Sequence, residues 1–180
     1  MSPMTSAPEI TPDTKDWTWV LSRPCPDCGF VAADLTRAEV GPRLREAADD
    51  LQAALRSPTA AQRPAPTVWS PLEYACHVRD VYRLYLTRLE LMLAEDDPEF
   101  ENWDQDQTAV DDAYGLQDPQ VVSRELDVAT DALVARFLSL GDDVWTRTGR
   151  RSDGAHFTIT SFSQYLVHDP VHHVHDVQRA

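Results

Sequence analysis

No stretch of this sequence approaches the ~18 consecutive apolar residues of a membrane-spanning helix, so a helical membrane protein is excluded. The opening residues, MSPMTSAPEITPDTKD, lack the basic start and apolar run of a secretion signal, and a cytoplasmic protein is expected. Cysteine is scarce and odd in number, at three residues, which argues against a disulfide framework. Positive charge is outweighed, leaving a net charge of -14 that repels phosphate backbones and anionic lipid. Neither nucleic acid nor a membrane is therefore expected as a partner. Arg147, Arg150 and Arg151 form the only short basic cluster. It reads either as a solvated turn or as a site that binds an anionic substrate group. No internal repeat is found.

What is present suits one domain. A chain of 180 residues can bury a single core without staples. Two regions are expected: an irregular N-terminal extension over 1–35, and a helical bundle over 36–180. Residues 1 to about 16, rich in Pro, Ser and Thr, read as a loose tail. The prolines and Gly29 of residues 17–34 argue against a helix there.

Four helix signals follow. Thr36 with Glu39 forms a capping box, in which each side chain satisfies a backbone N–H at the helix start. Val40, Leu44, Ala47, Leu51 and Leu55 then make one apolar stripe, with Pro42 as a kink or a later start. Ser70, Pro71 and Glu73 open the second helix, whose stripe runs through Tyr74, Val78, Val81, Tyr85, Leu89 and Met92. Residues 95–117 have no sustained period and read as a long functional or disordered connection. Asp118-Pro119 opens the third helix, which Gly141 can end. A short hairpin or loop is expected around Asp153-Gly154. Ser161 with Gln164 offers the start of a fourth helix. Together these make an all-α four-helix bundle.

Chemistry concentrates at the C-terminus, in YLVHDPVHHVHDV. His168 and His172 are four residues apart, share a helix face, and suit one Zn, Ni, Fe or Cu ion. Pro170 leaves a choice between a kinked helix and a new helix capped at Asp169-Pro170; the kinked helix is the reading adopted. A third ligand must come from elsewhere, and His77 lies beside the apolar stripe of the second helix. His175 shares the His168/His172 face and is a rival ligand, whereas His173 and His156 read as surface residues. Cys25-Pro26-Asp27-Cys28 has half of a zinc-site spacing. A structural zinc needs two further ligands, and no second CxxC exists. Ordinary thiols in a tight turn, a reversible disulfide, and a contact near the metal mouth all stay open. Cys76 reads as a small buried apolar residue. Asp104 and Asp106, in the long connection, are candidate catalytic bases toward metal-bound water, and Trp103 can pin that loop to the bundle.

These features resemble the DinB-like superfamily of metal-binding bundles, which includes YfiT-like and mycothiol-dependent proteins. The resemblance rests on Trp69-Ser70-Pro71-Leu72-Glu73 leading into His77, on the helix order with its long second connection, and on His168-x-x-x-His172. It implies one divalent ion, zinc first and nickel or iron next, held by His77, His168 and His172. It also implies an enzyme acting with a low-molecular-weight thiol, of transferase or isomerase type. A non-catalytic metal or small-molecule binding protein and a metal-dependent hydrolase are the rivals. A small-molecule substrate is the expected partner, and a homodimer is allowed. The CPDCGF segment lies outside the general family motif.

Overall fold

The structure, a computed structural model, describes Ile10, Pro12 and residues 16–179. The expected loose tail otherwise lies outside the described residues. Two short 3-10 helices, Trp17–Leu21 and Ala32–Asp34, flank the CPDC turn. In α1 (Arg37–Leu55) the Thr36 N–H donates to Glu39 Oε2 at 2.8 Å, completing the expected capping box. The helix runs on through Pro42, which costs it a single intrahelical bond. α2 (Pro71–Ala94) starts from Ser70, whose Oγ accepts from the Glu73 N–H at 3.2 Å. Glu73 returns a bond from the Ser70 N–H at 2.8 Å and also accepts from Arg63, tying the proline-rich connection to the helix start.

The connection after α2 is more ordered than its aperiodic sequence suggests. It contains β1 (Glu99–Phe100), α3 (Gln105–Asp111) and a 3-10 turn at Tyr114–Leu116. α3 buries none of its residues, so no apolar stripe marks it; its start is fixed by Asp104, whose side chain accepts from the Gln107 N–H at 2.9 Å. β1 depends on partners some fifty positions away and has no local signal. It pairs in parallel with β2 (Thr148–Arg151), which pairs antiparallel with β3 (His156–Thr158) across the expected turn.

Between the sheet's strands in sequence lies α4 (Pro119–Leu138), capped by Asp118 as expected. α5 (Ile159–Arg179) begins before the expected Ser161 cap. Thr158 and Ser161 satisfy each other: the Thr158 N–H donates to Ser161 Oγ at 3.0 Å and the Ser161 N–H to Thr158 Oγ1 at 3.1 Å. α5 then continues through Pro170. α4 packs on α1 and α2, and α5 packs on the same pair, giving a four-helix bundle with a small sheet at one end. Both N-terminal 3-10 helices lie against α5. No helix among the described residues is long and apolar enough to cross a membrane.

The sheet sits so close to α2 that Gly149 has no room for a side chain. An added Cβ would stand 2.8 Å from Met92 Cγ and 3.1 Å from Phe100 Cε1. Gly149→Ala is expected to destabilise the protein by about 1–3 kcal/mol, read as a lower denaturant midpoint.

Three buried tyrosines make the bundle sensitive to alkali. Burial pushes Tyr82, Tyr85 and Tyr114 up from their ordinary range, reinforced at Tyr85 by the neighbouring Tyr165 phenol and at Tyr114 by donation to Asp80 at 2.6 Å. Tyr82 donates to Leu44 O at 2.8 Å. A folded-state value above the unfolded value of about 10 gives stability that is present below that pH and lost above it. Each tyrosine contributes a slope of about 1.4 kcal/mol per pH unit there. The denaturant midpoint should therefore fall steeply above about pH 10. Tyrosinate absorbance from these residues should appear only with unfolding.

Candidate metal centre

The C-terminal half of α5 faces two neighbours, and each meets its own set of donors. Toward the bundle, Asp169 and His173 stand four residues apart and meet His77 of α2; their donor atoms all lie within 4.8 Å of one another. His77 Nε2 is 3.3 Å from Asp169 Oδ2, and the His77 and His173 ring centroids are 4.8 Å apart. Toward the N-terminal segment, His168 and His172 meet Cys25 and Cys28, again with donors within 4.8 Å of one another.

The three histidines expected to share one ion are thus divided between the clusters. The division follows from helix geometry. Successive residues turn by about 100°, so the pair 168/172 looks out on a different side from the pair 169/173. Asp169 and His173 lie seven and eleven positions beyond Phe162, on the continuation of the buried stripe. His173, read from sequence as a surface residue, is half-buried and lies in the first cluster. His175 joins neither cluster; its Nδ1 is 3.9 Å from Asp176 Oδ1. His156 is exposed on β3.

The electrostatics fit a cation between His77, Asp169 and His173. Burial opposes ionisation of Asp169, yet the imidazoles of His77 and His173 hold its carboxyl well below the usual range. His77 is fully buried with its Nε2 toward the Asp169 carboxylate, whose buried Oδ1 has no hydrogen-bond partner among the described residues. An orphaned buried oxygen is costly unless something else binds there. Asp176, one turn on, lies 3.3 Å from His173 Nδ1 and 3.8 Å from His172 Nε2. It hydrogen-bonds the His173 ring and stands at ion-pair distance from His172, a placement like that of carboxylates that support metal-binding histidines. Sequence reasoning missed Asp176; its spacing of three and four from the two histidines was the available signal.

Aromatic rings enclose this first cluster. Trp103 stacks on His77 with centroids 5.5 Å apart and planes at 14°, Trp69 lies at 5.4 Å, and Tyr74 approaches His173 at 5.0 Å. Trp103 does pin the long connection to the bundle, through His77. Asp169 also borders an open cleft of about 1350 Å³ whose wall includes Trp69, Arg88, Trp103, Arg151 and Tyr165.

The other candidate residues separate clearly. Asp104 lines the cleft, but its side chain caps α3. Asp106 lines it too and is engaged. Of the three arginines, Arg147 donates to Met92 O and Glu95 O, both at 2.7 Å, and so caps the end of α2. Arg150 pairs with Asp97 at 3.0 Å. Arg151 alone of the three reaches the cleft, braced by Asp153 at 2.8 Å and by Tyr165 Oη at 3.3 Å. Cys76 is buried, and burial pushes its thiol up to about 12, in keeping with an inert core residue.

Comparisons with known proteins agree with this architecture. The sequence profile of the DinB superfamily matches residues 43–177. Among solved structures, YfiT from Bacillus subtilis, described as a probable metal-dependent hydrolase with an unusual four-helix bundle topology, superimposes with a TM-score of 0.69. The match is 18% identical in sequence and covers 79% of this chain and 86% of that one. A comparison with curated proteins finds no match.

Proposed function

Because this chain belongs to the DinB superfamily, we propose that it is a metal-dependent enzyme in which His77, Asp169 and His173 hold one divalent ion at the wall of the cleft. The reaction we assign is of thiol-transferase type, joining a small thiol to an electrophilic, anionic substrate. The single observation that carries the metal reading is the meeting of these three donors, from α2 and α5, beside a cleft wide enough for a substrate. Zinc suits two imidazoles and a carboxylate, and nickel or iron suits them too. An ion held by three protein ligands supplies a positive charge that lowers the pKa of a small thiol, or of water, bound beside it.

The protein's own groups have separate tasks. Asp169 stays ionised and offers its carboxylate to the cation. Asp176 fixes the His173 ring. Trp69 and Trp103 cover His77 and keep bulk water from it. Arg151 lines the cleft, held in place by Asp153 and Tyr165, and its charge suits an anionic substrate group. A thiol is favoured over water as the nucleophile because its unaided acidity is far greater and demands less of the cation; Asp104, which caps α3, and Asp106, which is engaged, are not called on as bases. A thiol ionises at about 8.5 unaided and needs no protein base beside a cation.

The test is spectroscopic and kinetic. Adding a small thiol to the Co(II)-loaded protein should produce an additional sulfur-to-cobalt absorption band. His77→Ala should lose that increment and the thiol-dependent turnover of electrophiles. Normal cobalt loading with no increment and no thiol-dependent turnover would overturn the thiol assignment. Turnover of esters or amides without thiol would replace it with hydrolysis.

A further inference from the structure

The second donor cluster lies outside the catalytic proposal. We infer that Cys25, Cys28, His168 and His172 form a closed, four-ligand zinc site that clamps the N-terminal segment to α5.

The donor set is complete and local. Two thiols and two imidazoles have their donor atoms within 4.8 Å of one another. Zinc–sulfur and zinc–nitrogen bonds of about 2.3 and 2.0 Å give tetrahedral edges of about 3.3–3.8 Å. Cys25 Sγ already lies 3.6 Å from His172 Nδ1, the length of such an edge. His168 is 4% exposed, and its buried Nε2 has no hydrogen-bond partner among the described residues. In a protein interior such an atom calls for a ligand.

The backbone of CPDCGF is shaped to present both thiols. The Gly29 N–H donates to Cys25 O at 2.9 Å, and the Cys25 N–H donates to Phe30 O at 2.8 Å, which folds the six residues into a tight loop. Gly29 closes it at φ +74°, a left-handed conformation that glycine adopts without strain. Cys25 is buried and Cys28 half-buried, and neither is in a disulfide. Trp17 lies 5.5 Å from the His168 ring and 5.0 Å from the His172 ring, and Phe30 lies 5.6 Å from His168. Four protein donors complete a tetrahedral zinc ion and leave no coordination position for a substrate. A site of this kind is structural, where three ligands and an open position are the mark of a catalytic one. Two thiolates with two imidazoles select zinc among the common divalent ions.

The clamp has a consequence for the rest of the molecule. His168 and His172 each immediately precede a donor of the first cluster. Fixing their rings to the CPDC loop fixes the rotation of α5 about its axis, and that rotation sets where Asp169 and His173 point. Asp176 touches a histidine of each pair and couples them further.

The experiment loads the full-length protein with Co(II) without any added thiol. A tetrahedral cobalt spectrum with a thiolate charge-transfer band is expected at about one equivalent. The band should survive in His77→Ala, which alters the first cluster alone, and vanish in Cys25→Ser/Cys28→Ser. Zinc content should fall by about one ion per chain in that double variant. Should the double variant fail to fold, alkylation of the wild-type protein decides: zinc should protect Cys25 and Cys28, and chelation should expose both. The inference is overturned by wild-type protein with no thiolate band, by a band that depends on His77, or by cysteines whose alkylation ignores zinc. None of these results bears on the added-thiol increment, so this site and the catalytic proposal fail separately.

Discussion

His173→Ala is expected to weaken the ion at the His77 cluster by more than about 100-fold, with at least the same loss of any metal-dependent turnover. The scale comes from ligand-supporting residues, whose removal costs about 10–100-fold in metal affinity. Asp176→Asn, which loosens the His173 ring without removing a donor, should fall inside that range. Loss of a donor itself must exceed it. Competition against a chromophoric chelator measures both variants. Equal metal affinity in wild type and His173→Ala would mean that His173 stands beside the ion and does not bind it.

Phe162→Ala should produce the largest loss of stability, about 3–5 kcal/mol. Phe162 is 1% exposed and sits where three elements meet. Its ring lies 4.7 Å from Tyr85 on α2, 6.1 Å from Phe157 on β3 and 6.2 Å from Phe100 on β1. Truncation leaves a cavity that the sheet, held close by Gly149 against Met92, cannot readily fill. For a chain of this length the melting temperature should drop by about 10 °C. A fall of only a degree or two, with an unchanged denaturant slope, would show that the sheet and α5 pack without this ring.

The parts of the fold that were legible in the sequence are those fixed by neighbours in the chain. Thr36 with Glu39, Ser70-Pro71 with Glu73, and Asp118-Pro119 each satisfy helix-start N–H groups within three or four residues, and all three stand where their spacing put them. β1 was not legible, because its two residues have no meaning apart from β2. α3 was not, because it buries nothing.

The site was half legible for a related reason. The sequence marks α5 as the source of candidate metal ligands but carries two i,i+4 pairs in adjacent registers: His168 with His172 and Asp169 with His173. Choosing between them requires the rotation of the helix in the bundle. The signal for that rotation was present in Phe162 and Leu166, whose face continues through Asp169 and His173. Conversely, the CPDC motif has half a zinc site by spacing, and its other half lies more than 140 positions away, on the face of α5 that the N-terminal segment covers. Only the folded chain brings the two halves together.

The division of the histidines is the centre of this account, and anomalous diffraction at the zinc edge tests it most directly. Crystals of the zinc-replete protein should show a peak bonded at about 2.0–2.2 Å to donors of His77, Asp169 and His173 together, with His168 and His172 contributing nothing to it. A peak ligated jointly by His77, His168 and His172 would contradict the account.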